Sequence, residues 1–272
     1  MEYVECQGVE LPKLGLGTWR MKGATCRRAV RTALELGYRH VDTAQYYGNE
    51  RQVGAALRDA DVDRESVFLT TKLKRSNLTS AAVHQSTRES LRRLGTDYLN
   101  LLLIHQPSRR VPVAETIRAM NELQAEGVVR HVGVSNFGVS QLSKAQLASE
   151  TPIFTDQVQY HPYKDQHALL NYCRANDMLL TAYSPLAHGG VIVDDLLQRI
   201  GEQYDRSAAQ VALRWAVQQD HVVTIPKAAS REHLRANLDV FDFELTPAEM
   251  DRIGRPSTLR TISHLMRSRL PV

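Results

Sequence analysis

The sequence predicts a closed (β/α)8 barrel, with an N-terminal β-hairpin capping its bottom, and three observations carry that prediction. Eight short, β-rich apolar runs alternate with longer segments of helical period along the 272 residues. The runs are near-continuously apolar, as strands are when helices cover both faces of a parallel sheet. No shift in composition and no linker breaks the repeat, and about 250 residues is an ordinary size for one such barrel. A single barrel domain over residues 1–272 is therefore expected.

The segment "VECQGVELP" reads as the hairpin. The first barrel strand is "KLGLGT", followed by the helical "CRRAVRTALELG" with Gly37 as its C-terminal cap. "YRHVD" and "VFLTTK" are strands two and three, and "SAAVHQSTRESLRRLG" is a helix that Gly95 ends. "YLNLLLIH" is strand four and precedes the helix "VAETIRAMNELQAEG". "VVRHVGVS", "IFTDQVQY", "MLLTAYS" and "HVVTIP" complete the set of strands. Before the last of these, "SAAQVALRWAVQQ" opens with a capping-box spacing from Ser207 to Gln210, and Trp215 inside it is a core residue. Near the end, "TPAEMDRIG" places Pro247 just inside a helix start. A doubly wound nucleotide fold is the rival, but its phosphate turn needs G-x-G-x-x-G, and here Gly15 and Gly17 are followed by Arg20.

The 34 basic and 30 acidic residues are interleaved, leaving a net charge of +4. Pairs such as Arg92-Arg93 and Arg109-Arg110 read as solvated faces, so no nucleic-acid partner is expected, while the mild excess suits a small anionic ligand. Cys6, Cys26 and Cys173 are far apart and form no C-x-x-C pair, which indicates neither a disulfide framework nor a zinc site, and His161 and His188 suggest no metal pair. The N-terminus lacks a signal-peptide pattern, and the longest aliphatic run, "LLLI", is too short for a bilayer. A monomer in a reducing cytoplasm, without membrane or metal, is the expectation.

In such a barrel the chemistry sits where strands end. Asp42 closes strand two, Lys72 closes strand three and His105 closes strand four, with Tyr47 on the loop after Asp42. Singly, each has an ordinary reading as a turn residue, a solvated strand end or a packing ring. Jointly they make chemical sense. A phenol has a pKa near 10, so moving its proton near pH 7 takes about 4 kcal/mol of help to the phenolate. An ammonium about 4 Å away supplies a term of that order at an effective dielectric of about 20. A desolvated lysine needs a partner to stay charged, and Asp42 is that partner. His105 can donate to a substrate carbonyl oxygen and stabilise the charge that grows there. Such a set protonates a carbonyl oxygen as the carbon is reduced, and the hydride must come from a nicotinamide cofactor because no side chain supplies one.

With these residues in place, the chain resembles the aldo-keto reductases over nearly its whole length, in "LPKLGLGTW", "DTAQYYGNE", "TTKL", "LIHQP", "GVSNF", "QVQYHPY", "AYSPL" and "IPKAAS". The resemblance puts the catalytic tetrad on Asp42, Tyr47, Lys72 and His105, since the family's tyrosine immediately precedes Gly-Asn-Glu. It implies that Ser135, Asn136 and Gln157 hold the carboxamide, Tyr183 stacks under the nicotinamide, Ser184 and Leu186 contact the pyrophosphate, and Thr18 also touches the cofactor. Trp19, Tyr46 and Gln106 would line the substrate pocket, with Gln106 and Lys74 standing where the family often has aromatic residues. The short tail after Pro256 argues against steroid-sized substrates, so small aldehydes, dicarbonyls or keto acids are expected.

In "IPKAASREHLRAN" the family's Lys and Asn are kept as Lys227 and Asn237, but Ala228, His233 and Ala236 stand where it has Ser, Arg and Glu. NADPH should remain preferred, with NADH accepted. Two other classes fit the same barrel. A cofactor-binding regulatory subunit would show no turnover, and a Schiff-base aldolase would be trapped on Lys72 by borohydride.

Overall fold

The computed structural model describes residues 1–255, so the tail after Pro256 lies outside the described residues. Strands β1 (Tyr3–Cys6) and β2 (Val9–Pro12) pair antiparallel. Gln7 and Gly8 turn between them with φ of 52° and 74°, the left-handed pair that a two-residue hairpin requires.

Each of the eight apolar runs contains one barrel strand. They are β3 (Leu16–Gly17), β4 (His40–Asp42), β5 (Phe68–Leu73), β6 (Leu99–Ile104), β7 (Val129–Ser135), β8 (Thr155–Gln159), β9 (Leu179–Tyr183) and β10 (Val222–Thr224). Neighbours in chain order pair in parallel from β3 to β10. The ring closes where Leu14 pairs in parallel with Thr224, with the Gly15 N–H donating to the Thr224 carbonyl at 2.8 Å. That closure explains the glycines. A Cβ on Gly15 would lie 2.6 Å from the His40 ring, and one on Gly17 would lie 2.5 Å from the Ile225 carbonyl oxygen. They are sites of close approach between strands rather than part of a phosphate turn.

The outer helices are α1 (Gly23–Glu35), α2 (Glu50–Asp59), α3 (Ser80–Leu94), α4 (Val113–Ala125), α5 (Val139–Ala148), α6 (His167–Ala175), α7 (Asp195–Tyr204), α8 (Ala208–Val217), α9 (Arg231–Leu238) and α10 (Pro247–Gly254). Their ends follow local chemistry. Gly95 takes φ 67° at the C-cap of α3, and Ser207 with Gln210 forms a capping box on α8. Thr246 and Glu249 form another on α10, with Pro247 at its first position. Trp215 is buried in the layer between strands and helices, where its indole N–H donates to the Met250 carbonyl at 3.3 Å. No helix among the described residues is long and apolar enough to cross a membrane.

Two apolar layers leave one end of the barrel open to polar groups. The outer layer joins strands to helices. The inner one packs Phe68, Leu101, Leu103, Phe154, Leu179 and Val223 against Cys6 and Leu11 of the hairpin. Gln7 ties the hairpin down by donating to the carbonyls of Ile153 (3.0 Å) and Asp177 (2.8 Å). The N-terminal end is thus plugged, and inward-facing polar side chains gather at the C-terminal ends of the strands.

Candidate active site

Asp42 and Lys72 come from adjacent strands β4 and β5 and are both buried. The Lys72 ammonium donates to Asp42 Oδ1 at 2.5 Å, to the Thr43 carbonyl at 2.9 Å and to the Tyr47 hydroxyl at 3.4 Å. Gln157, from β8, donates to the other Asp42 oxygen at 2.8 Å. Tyr47 ends a 3-10 turn, Gln45–Tyr47, which Gly48 terminates with φ 67°. The His105 ring, just past β6, stands edge-on to Tyr47 with centroids 5.8 Å apart. The four residues expected at the barrel mouth are therefore together. Of the two tyrosines, Tyr46 is 68% exposed and lies edge-on to His105 at 6.0 Å, whereas the Tyr47 hydroxyl is the one within reach of Lys72.

Burial dominates the electrostatics. It pushes His105 down to about 4, helped by the charge on Lys72, so the ring is neutral near pH 7 and keeps one N–H to donate. For Lys72, burial acts downward, but Asp42 and Tyr47 more than offset it and the ammonium is held above its usual range. For Asp42, burial acts upward against Lys72 and Gln157, and the net direction is up, which alone would favour the neutral acid. Hydrogen bonding decides between these two directions. Lys72 Nζ faces three oxygens, Asp42 Oδ1, the Thr43 carbonyl and the Tyr47 hydroxyl, one for each N–H of an ammonium, and Gln157 donates to the other Asp42 oxygen, so the pair is ionised.

Tyr47 departs from expectation. Burial raises its phenol above the ordinary value, and the pull of Lys72 offsets this only in part, against a push from Asp42. In the free site Lys72 does not lower the phenol below its ordinary value; it limits a rise that desolvation causes.

A cleft of about 670 Å³ opens over this group. Asp42, Tyr47 and His105 line it, as do Trp19, Tyr46, Ser135, Asn136, Gln157, Tyr183, Ser184, Leu186 and Lys227. Several of these are tied together. Asn136 donates to the His105 carbonyl and to Ser135 Oγ, both at 3.0 Å, and accepts from the Tyr183 hydroxyl at 2.8 Å. Others expected here lie elsewhere. Thr18 is buried and its hydroxyl donates to the Asp42 carbonyl at 2.9 Å, which makes it a support for the strand end. Gln106 is exposed and does not line the cleft. His233 and Asn237 sit on α9 outside it, His233 exposed and Asn237 buried beside the Tyr38 hydroxyl.

The structure also adds residues that sequence reasoning missed. Arg20, Gln159 and His188 line the cleft, with Ile225 and Pro226 on its wall. Ser184, Ala187 and His188 all take left-handed φ (49°, 49° and 53°), a backbone requirement with no glycine signal in "AYSPLAH". Arg20 adjoins the recognisable "LGTW", and its adjacency to Trp19 was the available clue.

A closed (β/α)8 barrel with a buried Lys–Asp pair, a phenol and a neutral imidazole at its mouth defines an oxidoreductase-like centre, and comparison with known proteins specifies the class. The Aldo/keto reductase family profile matches residues 13–255. The chain is 38% identical to the glyoxal reductase of Bacillus subtilis, over 90% of this chain and 89% of that protein. It is 38% identical to the methylglyoxal reductase DkgB of Escherichia coli O157:H7, over 90% and 92%. Among solved structures, an aldo/keto reductase from Brucella melitensis superposes with a TM-score of 0.88 at 36% identity, covering 93% of this chain and 98% of that one. The chain belongs to the aldo/keto reductase family and is an oxidoreductase enzyme. Enzymes of this family use nicotinamide cofactors and act on small carbonyl compounds.

Proposed function

We propose that the protein reduces small aldehydes, dicarbonyls or keto acids to alcohols, with NADPH preferred and NADH accepted. The observation that carries the proposal is the Tyr47 hydroxyl, 3.4 Å from a buried ammonium and faced by a neutral imidazole, at the mouth of a cleft.

The residues of the cleft fit a nicotinamide. Tyr183 is half-buried on its wall, and Asn136, Ser135 and Gln157 offer amide and hydroxyl groups suited to a carboxamide. The cofactor, when bound, supplies hydride to the carbonyl carbon. His105 orients the carbonyl by donating to its oxygen and stabilises the negative charge that develops there. Tyr47 gives its proton to that oxygen as the alkoxide forms. Lys72 stabilises the resulting phenolate, and Asp42 keeps Lys72 charged and in place. Lys227, exposed on the cleft, favours an extra phosphate on the cofactor. Ala228, buried, and His233, exposed, provide no hydroxyl donor and no guanidinium, which weakens discrimination against NADH.

On the same footing we read residues 1–272 as one domain and the protein as a cytoplasmic monomer; Cys6, Cys26 and Cys173 are buried free thiols, as a reducing compartment allows. The test of the function compares Tyr47→Phe with Tyr46→Phe in oxidation of NADPH by methylglyoxal. Tyr47→Phe should lose about 10² to 10⁴-fold in turnover while still binding NADPH, because the proton donor is removed and the stacking site is not. Tyr46→Phe should keep most of its turnover. Inactivity of Tyr46→Phe with an active Tyr47→Phe would refute the assignment.

A further inference from the structure

The turn from Thr18 to Met21 carries a cation that the reaction described above does not use. The Met21 N–H donates to the Thr18 carbonyl at 3.1 Å, and Arg20, third in the turn, has φ 60°. That left-handed conformation is unfavourable for a residue with a long side chain and persists where its surroundings over-determine it. Here they do. Asn49 is buried, and its Nδ2 donates to both ends of the turn, to the Thr18 carbonyl at 2.9 Å and the Met21 carbonyl at 3.1 Å. Its Oδ1 accepts from the Thr43 hydroxyl at 2.8 Å. Asn49 follows Tyr47 by two residues, so one amide fixes the turn to the loop that carries the phenol.

Above this clamp the Arg20 guanidinium lies over the Trp19 ring, 4.3 Å from its centroid. Stacking holds the planar fork without consuming its N–H donors. Both residues line the cleft that Tyr47 lines. Arg20 forms no ion pair among the described residues, and Asp42, the carboxylate lining that cleft, has both oxygens taken by Lys72 and Gln157. The cleft therefore presents an unneutralised guanidinium stacked on an aromatic ring, both exposed at its edge.

We propose that Arg20, seated on Trp19, is a carboxylate-binding subsite that selects anionic carbonyl substrates, 2-oxo acids above all, over neutral carbonyls of the same size. This rests on the reading of the cleft as a carbonyl-reducing site and narrows it. The guanidinium fork meets a carboxylate with two N–H groups, and the substrate's apolar part covers the indole. The same fork would take an oxygen of the cofactor's diphosphate, so the test separates the two sources.

The experiment measures kcat/KM for phenylglyoxylate and for its methyl ester, which share one ketone, in the wild type, Arg20→Gln and Arg20→Lys, together with the Kd of NADPH from fluorescence quenching. The expected result is an acid-to-ester ratio that falls about tenfold in Arg20→Gln, mainly through KM, and recovers in part in Arg20→Lys. An unmoved ratio would overturn the subsite, as would a tenfold rise in the NADPH Kd that accounts for the loss on both substrates. If the wild type reduces neither compound, the carbonyl-reduction reading fails. The subsite is then read from mandelate binding by calorimetry, where equal affinity in wild type and Arg20→Gln refutes it.

Discussion

Lys72 and Asp42 form a buried ion pair at 2.5 Å, each side chain 1% exposed, and neither has water to fall back on. The pair is therefore a joint structural and electrostatic unit: removing either partner strands the other's charge in the interior. Lys72→Met should destabilise the protein by about 3 to 5 kcal/mol, read from denaturant unfolding. It should also raise the apparent pKa of the step in which the phenol acts, or abolish that step, because the phenol then loses the one influence that opposes desolvation. Asp42→Asn should move both quantities the same way and less far, since an amide oxygen still accepts from the ammonium. Unchanged pH–rate profiles in both variants would remove Lys72 from the account of Tyr47.

The strands and the Asp42, Lys72 and His105 that stand at their ends were legible because both depend on local pattern. Apolar runs of β-rich residues mark parallel strands, and a charged residue closing such a run has few places to go but the barrel mouth. What depends on contacts distant in sequence was not legible. Arg20 matters through Asn49 and the left-handed turn, and no local signal announces either. Thr18, expected to touch the cofactor, also donates its hydroxyl to the Asp42 carbonyl, a partner 24 residues away that no local signal announces. The glycines of the first apolar run follow the same rule, since a Cβ on Gly15 or Gly17 would meet His40 or Ile225, partners distant in sequence. The sign of the Tyr47 shift was missed because proximity to a cation is easy to infer, whereas the depth of burial that outweighs it is a property of the whole fold.

Cofactor discrimination should respond to α9. Arg231 is paired with Glu35 at 3.3 Å, while Arg235 is exposed without an ion pair among the described residues. His233→Arg should therefore raise the NADPH-to-NADH ratio of kcat/KM about tenfold or more, the size of one charge-assisted hydrogen bond of about 1.5 to 3 kcal/mol. Arg235→Gln should lower that ratio. Negligible NADH activity in the wild type, or a ratio indifferent to His233→Arg, would defeat the proposal of reduced discrimination.

Barrel closure sets a third expectation. In Gly15→Ala the new methyl would sit 2.6 Å from the ring of His40, which is 2% exposed and packs edge-on against Phe68 at 5.5 Å. The ring has little room to retreat. Overpacking of this kind costs about 1 to 3 kcal/mol. Gly17→Ala should cost more, because its methyl meets the Ile225 backbone oxygen at 2.5 Å rather than a side chain. Thermal unfolding of the two variants gives the order, and a Gly17→Ala protein as stable as the wild type would contradict it.

The last expectation concerns Asp156, the β8 neighbour of Gln157. Its side chain is fully buried, with Oδ1 accepting from the Phe137 N–H at a long 3.4 Å and Oδ2 without a hydrogen-bond partner. Burial pushes its pKa up from 3.8 to about 8, with the Phe137 N–H opposing weakly. A group whose folded pKa lies above its unfolded value binds a proton in the folded state that the unfolded chain has released. Its contribution to stability is complete below the unfolded pKa near 3.8 and is lost as pH rises through the folded value near 8. Across that window the loss can approach about 1.4 kcal/mol per pH unit. Asp156→Asn is neutral at every pH and keeps an oxygen for the Phe137 N–H. The variant should therefore already be more stable than the wild type at pH 5, and increasingly so at pH 6.5 and pH 8. Urea unfolding of both proteins at those three values checks this, and the difference between them cancels every other titrating group, the buried His40 included. Two stability curves that run parallel with pH would show that Asp156 ionises freely where it sits.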